Sequence, residues 1–191
     1  HANVAFTDSW IEDAKRRDFT VNAIYMDLEG ELYDPCGGLA DIEARRIRFI
    51  GDAAMRIRED GLRILRFYRF SALYADDIDP DGQSACQALA PQVRALSAER
   101  IASELFKLLA AEDAAKPLLA MKQADIFSYI FEEGSAVDAL IAQVLFERWV
   151  GRHASVLAKV WLLAGEAYGA VGIARLLKLS GVQKKQLLVL R

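Results

Sequence analysis

The chain has 191 residues, 53% of them hydrophobic, and a formal net charge of −3. That length supports one medium domain or two small ones with a sizeable core, which excludes global disorder. The mild acidity also excludes a polycation held to its partner by bulk charge.

In chain order, Val4-Ala5-Phe6 reads as a short strand, and Ser9, with Glu12 three residues on, reads as a helix cap. Ala23–Asp27 and Glu31–Tyr33 flank Leu28-Glu29-Gly30, the pattern of a β-hairpin with a glycine turn. Asp34-Pro35 breaks the strand, and Gly37-Gly38 permits a tight turn before a helix near Leu39. After Gly51 the pattern becomes helical. A short helix is expected over Asp52–Ile57, a longer one over Glu59–Tyr74, a loop over Asp76–Gly82 and a helix over Ser84–Gln92. Ser97 then caps Ala98–Ala111. From Ala114 onward the chain is rich in Ala and Leu at helical spacing, broken near Glu133-Gly134-Ser135, Gly151 and Ser180-Gly181. The expected class is α+β, predominantly α-helical, with its boundary near residue 50.

Charge is unevenly spread along this pattern. Residues 45–69 hold eight arginines, no lysine and three acids. Arginine without lysine favours forked binding of phosphate or carboxylate over simple solubility. Two clusters stand out, Arg16-Arg17-Asp18-Phe19-Thr20 and Glu59-Asp60-Gly61-Leu62-Arg63. Each sets arginine beside a carboxylate next to an apolar run, an arrangement suited to a small anion. On the helix expected over Glu59–Tyr74, Asp60, Arg63, Arg66 and Arg69 step by three, with apolar residues interleaved rather than opposite. Several of these arginines therefore belong in or beside a partly buried cleft, where each needs a partner. That partner is either an internal acid (Asp18, Glu59 or Asp60) or a ligand phosphate.

Other signals lead nowhere catalytic. Asp77-Ile78-Asp79-Pro80-Asp81-Gly82 imitates a calcium loop, but Ala88 stands where the bidentate glutamate belongs, so a solvated acidic loop is expected. Gly37-Gly38 lacks the Gly-Lys-Ser/Thr of a P-loop. His153 has no metal-ligand partner at a useful spacing, and no Ser-His-Asp set is present. Arg152-His153 and Lys184-Lys185 read as solvated helix faces. Cys36 and Cys86, far apart and without a signal peptide, read as reduced thiols of a cytoplasmic protein. No apolar stretch reaches the roughly 18 residues of a membrane span, so no membrane association is expected. The chain starts at His1 without a methionine and ends just after an apolar run, which reads as a piece of a longer protein. Nothing in it sets an oligomeric state.

Taken in order, these residues resemble the bacterial class II tRNA nucleotidyltransferase and poly(A) polymerase family. Arg16-Arg17-Asp18-Phe19-Thr20-Val21-Asn22-Ala23 is similar to that family's second head motif. Asp34-Pro35-x-Gly37-Gly38-x-x-Asp41 is similar to the third. Ile47-Arg48-x-Ile50-Gly51-Asp52 followed by Arg58-Glu59-Asp60-x-x-Arg63-x-x-Arg66-x-x-Arg69-Phe70 is similar to the fourth. Arg100-Ile101-x-x-Glu104-Leu105-x-Lys107 resembles the neck segment beyond. The resemblance implies the end of a head domain at 1–50, a neck at 51–112 and a helical, incomplete body at 113–191.

It implies further that Arg17 and Asp18 contact triphosphate and ribose, that Asp60 and Arg63 pair with the incoming base, and that Arg66 and Arg69 support the pocket. ATP and CTP would be the substrates and tRNA the partner. Addition of CCA is favoured over poly(A) synthesis by Glu59-Asp-Gly-Leu-Arg, where the polymerases often carry Glu-Asp-Pro-Val-Arg. A non-catalytic RNA- or nucleotide-binding module is the reading from another class. The family's two Mg²⁺ ions sit on an Asp-x-Asp pair upstream of anything matched here, so no metal ligand and no catalytic residue is assigned. The chain on its own is expected to be inert.

Overall fold

The computed structural model describes residues 9–190. The strand expected at Val4–Phe6 lies outside them. The architecture is ten α-helices and one two-stranded antiparallel sheet among the described residues, with three short 3₁₀ turns.

Ser9 accepts from the Glu12 N–H and starts α1 (Trp10–Ala14), as the capping spacing predicts. The hairpin forms with register Tyr25↔Tyr33 and Met26↔Leu32 between β1 (Tyr25–Met26) and β2 (Leu32–Tyr33). Its strands are shorter than expected, because Thr20–Asn22 coil into a 3₁₀ turn that ends at Ala23. Gly30 supplies the positive φ of the reversal. Asp34 accepts from the N–H groups of Gly38 and Leu39 at 2.7 and 2.8 Å, which caps α2 (Gly38–Glu43). Gly37, at φ +72, makes the turn before it.

Asp41 on α2 is fully buried and ties this region together. It accepts from Thr20 Oγ1 at 2.6 Å, from Arg46 Nε and Nη2 at 2.9 and 2.6 Å, and from Arg48 Nε at 3.0 Å. Burial alone would push its carboxyl up; these donors outweigh that and hold it below the ordinary carboxylate range.

Asp52 caps α3 (Ala53–Glu59). The long helix expected from Glu59 instead begins as α4 at Leu62 and runs to Tyr74. Asp60 is extended (φ −154, ψ 107), so the chain turns an elbow between α3 and α4. Ile64, Leu65, Phe67 and Tyr68 of α4 are buried, and so is Arg69. At roughly 1.5–3 kcal/mol for each large apolar side chain, this helix is the main apolar anchor of the fold. It packs against α3, α6 (Ala98–Ala110), α7 (Ala115–Gln123) and the 3₁₀ turn Ala90–Ala95.

The acidic stretch is a solvated loop only in part: Asp76, Asp77 and Asp81 are exposed, but a helix begins at Pro80. Asp79 is buried and caps α5 (Pro80–Ala88) through the Gly82 N–H, with Pro80 in the first turn. Asp77 pairs with Lys116. Ser97 caps α6 as expected.

Beyond it come α7, a 3₁₀ turn at Ile126–Tyr129, α8 (Val137–Val150), α9 (Val156–Leu176) and α10 (Gly181–Val189). Gly151 ends α8 in the left-handed conformation and Ser180 starts α10 with a capping box. The hydropathy pattern missed the break at Gly169 (φ 62, ψ 172) inside α9. By length and composition α9 could cross a membrane, against the expectation that no apolar stretch is long enough. It packs on α6, α8 and α10 and buries eight of its 21 residues, the charged Lys159 among them. One cluster of buried side chains runs from Phe19 to Leu187.

Candidate nucleotide-binding cleft

The segment after α1 is fixed by a single aromatic side chain. Phe19 is buried against Phe49, Phe70 and Phe67, with ring centroids 4.9, 5.2 and 6.4 Å away. Its backbone forms an isolated antiparallel bridge with Phe49. Hydrogen bonds Thr20 N→Arg48 O and Ile50 N→Asp18 O, both 3.0 Å, flank it. Asp18 is thereby set against α4, where its Oδ2 accepts from Arg66 Nε at 2.5 Å. Its Oδ1 accepts from Asn22 Nδ2 at 2.8 Å and from the Phe19 N–H at 3.1 Å. Burial alone would raise the Asp18 carboxyl; the Arg66 and Asn22 hydrogen bonds outweigh it and leave it below the ordinary range. Reciprocally, Asp18 raises Arg66 against the desolvation that would lower it.

A cleft of about 540 Å³ opens beside this pair. The segment after α1 contributes Arg16, Arg17, Asp18 and Asn22. Helix α4 contributes Leu62, Arg63, Arg66 and Phe70; the elbow contributes Asp60, and α6 contributes Arg100. Five guanidiniums and two carboxylates thus share one cavity, a surplus of three positive charges among its lining side chains. The two clusters singled out in the sequence, some forty residues apart, meet here.

Internal acids partner most of these arginines. Asp60 accepts from the Leu62 N–H at 3.0 Å with Oδ1 and from Arg100 Nη2 at 2.7 Å with Oδ2. Arg63 donates from Nη1 to Glu59 Oε2 at 2.5 Å and to the Arg56 carbonyl at 2.8 Å, and from Nη2 to the Arg16 carbonyl at 3.2 Å. Arg17 donates from Nε and Nη2 to Asp13 Oδ2 at 3.0 and 2.9 Å and lies over the Tyr25 ring. Hydrogen bonds from Arg17 and Tyr25 hold the Asp13 carboxyl low. Arg66 stacks over Phe70 at 5.3 Å, and its Nη groups have no protein acceptor among the described residues.

Arg69 does not line the cleft. It is buried behind it, with Nε 2.5 Å from Glu104 Oε2 and its guanidinium 4.1 Å over Phe70, while Lys107 takes the other Glu104 oxygen. Five of the six candidate residues, Arg17, Asp18, Asp60, Arg63 and Arg66, therefore converge, and Arg69 buttresses the wall. Arg16, Asn22 and Arg100 line the cleft without having been assigned a role. Arg100 meets Asp60 across forty residues of sequence, a contact that no local spacing announces.

Among the described residues no group of three or more His, Cys, Asp or Glu side chains could hold a metal ion. Asp77 and Asp79 are committed to Lys116 and to the cap of α5. These residues do not fit the Mg²⁺ pair.

Residues 1–48 match the family model described as "Poly A polymerase head domain", and residues 77–137 match "Probable RNA and SrmB- binding site of polymerase A". The CCA-adding enzyme of Leuconostoc citreum is 42% identical over 127 residues, 66% of this chain and 32% of the relative. The human mitochondrial CCA tRNA nucleotidyltransferase 1 is 42% identical over 112 residues, 57% of this chain and 26% of the relative. The crystal structure of the Bacillus stearothermophilus CCA-adding enzyme in complex with CTP superposes with a TM-score of 0.78 at 32% identity. That match covers 97% of this chain and 47% of the other. The Thermotoga maritima CCA-adding enzyme complexed with tRNA shares the fold at 19% identity, with a TM-score of 0.71 over 93% of this chain and 47% of the other. This chain spans about a third or less of the length of these two curated relatives.

Proposed function

Because this chain belongs to the tRNA nucleotidyltransferase and poly(A) polymerase family, we propose that it carries the nucleotide-selecting part of a CCA-adding enzyme. Residues 1–50 act as the end of the head, 51–112 as the neck and 113–191 as helical body. The observation that carries the reading is the convergence of Arg16, Arg17, Arg63, Arg66 and Arg100 with Asp18 and Asp60 on one cleft.

Arg16 and Arg17 meet the triphosphate, and Asp18 lies beside the ribose. Arg66, braced by Asp18, offers its remaining N–H groups to phosphate. Arg69 acts at one remove, holding Phe70 and α6 in place. Asp60 and Arg63 read the base. Cytosine and adenine both present an exocyclic amine next to a ring nitrogen that accepts. Asp60 Oδ2 accepts from the amine in place of Arg100, and Arg63 donates to the ring nitrogen. Uracil and guanine offer a carbonyl where the amine should be, so Asp60 would face an acceptor, and a buried polar mismatch is costly.

In the full-length protein the tRNA 3′-hydroxyl oxygen gives up its proton to solvent and bonds to the α-phosphorus of CTP or ATP. The α–β phosphoanhydride bond breaks and pyrophosphate leaves. Mg²⁺ is implied for that reaction by the family alone; no group of this cleft fits it. The bacterial relatives favour a cytoplasmic setting.

The test is nucleotide binding by calorimetry. Wild-type protein should bind CTP and ATP more tightly than UTP and GTP. Asp60→Ala should narrow that preference by about tenfold or more, the worth of one charge-assisted hydrogen bond. Arg17→Ala should weaken all four nucleotides alike. Equal profiles for the two variants would contradict the assignment. In the full-length protein, labelled CTP and ATP should both enter a tRNA 3′ end. Both matched families are named for poly(A) polymerase, which favours a second reading, poly(A) synthesis; there only ATP would be incorporated, repeatedly.

A further inference from the structure

Arg56 sits on α3, outside the cleft, yet both base-reading residues are tied to it. Its side chain is only 13% exposed. Its Nη1 donates to the Lys15 carbonyl at 2.6 Å and to Glu59 Oε2 at 3.1 Å. That same glutamate oxygen takes Arg63 Nη1 at 2.5 Å. The Arg56 carbonyl accepts from Arg63 Nη1 at 2.8 Å and from the Asp60 N–H at 3.4 Å. On the other side, Arg56 holds the carbonyl of Lys15 while Arg63 holds the next one, that of Arg16. Two arginines thus grip successive carbonyls at the exit of α1 and share one carboxylate between them.

We infer that Arg56 is a positioning residue that sets the spacing between the base-reading elbow and the Arg16–Arg17 arm, so that one nucleotide engages both at once. This rests on the nucleotide reading of the cleft. A rigid ligand gains from a second set of contacts only when those contacts already stand at the right distance from the first. Arg56 fixes that distance, because it joins the carbonyl before Arg16 to the carboxylate that orients Arg63. Its Nε is buried without an acceptor among the described residues. A side chain kept only for stability is poorly served by such an arrangement, since an unmet buried donor is destabilising. Arg56 spans the two halves all the same.

Without Arg56, Glu59 would hold Arg63 alone and could swing with it, and the Lys15 carbonyl at the exit of α1 would lose its tie to α3. The phosphate arginines would survive intact, as would the base readers. What would be lost is their registration. CTP should suffer, because it must reach both; inorganic tripolyphosphate, which needs only Arg16, Arg17 and the Arg66 that Asp18 already holds beside them, should not.

The experiment is calorimetric titration of wild-type, Arg56→Met and Arg56→Lys protein with CTP and, separately, with tripolyphosphate, after matching melting temperatures. The expected result for Arg56→Met is CTP affinity lowered by about tenfold with tripolyphosphate affinity unchanged, the worth of one charged hydrogen bond. Arg56→Lys, which keeps a charge and a donor without the fork, should fall between, and it carries the comparison if the methionine variant fails to fold. Unchanged CTP affinity would overturn the inference and leave the cleft reading intact. A parallel loss of both ligands would also overturn it, by reducing Arg56 to general support. Wild-type protein that binds neither ligand would overturn the cleft reading itself.

Discussion

Asp18 is the residue whose surroundings say most about how the cleft is held. Its two oxygens receive Arg66, Asn22 and its neighbour's amide, and its carboxyl lies below the ordinary range as a result. The group binds its proton less readily folded than unfolded, so it stabilises the fold when ionised. That contribution is complete above the unfolded value of about 3.9 and is lost as pH falls through the depressed folded value. Urea unfolding of Asp18→Asn against wild type should therefore show a deficit at neutral pH that closes steadily below about pH 4. A deficit independent of pH would assign the loss to shape rather than charge. The importance of Asp18 was legible in the sequence, since an acid between Arg17 and Phe19 next to an apolar run needs a partner. Which partner was not legible, because Arg66 lies forty-eight residues away. The same limit hid Arg100, whose contact with Asp60 depends on how α6 crosses the elbow.

At the scale of elements, close approach decides more than propensity. Gly38 begins α2 so near the Thr20–Asn22 turn that a β-carbon there would fall 2.3 Å from the Thr20 carbonyl oxygen and 2.9 Å from Ile24 Cγ1. Backbone cannot give way as a flexible side chain can. Gly38→Ala should cost about 2 kcal/mol or more, read as a lower urea midpoint at unchanged slope. It should loosen the cleft too, since Thr20 follows Asp18 and Phe19 directly. Some element starts were legible: Ser9 and Ser97 each declare a cap, and Asp52 stands where a short helix is expected to begin. The elbow at Asp60-Gly61 was not. Apolar residues continue at helical spacing through it, and periodicity cannot register a turn that leaves the pattern intact. Gly169 escaped for the same reason, inside a run that is apolar on all sides.

Across the whole molecule, a buried ion pair joins α8 to α9 and reaches the end of α6. Lys159 and Glu147 are each 3% exposed and 2.9 Å apart, and Lys159 also donates to the Leu109 carbonyl at 3.0 Å, at the end of α6. Burial alone would raise the Glu147 carboxyl; Lys159 and Gln143 hold it low. Removing one partner strands a buried charge. Lys159→Met should cost about 3–5 kcal/mol, and Glu147→Gln with Lys159→Met should cost less than the two single changes summed. Additive costs in a urea double-mutant cycle would show that the pair is not coupled. The sequence showed Lys159 only as an interruption in an apolar helix, with nothing to name a glutamate on the preceding helix as its partner. The bridge between Phe19 and Phe49 has a consequence on another timescale. The Thr20 and Ile50 amides that flank it are closed by hydrogen bonds on either side of a buried ring. In deuterated solvent they should exchange only when the molecule opens as a whole, whereas the amides of the exposed hairpin tip should exchange through local fraying. The floor of the cleft would then share the lifetime of the entire fold.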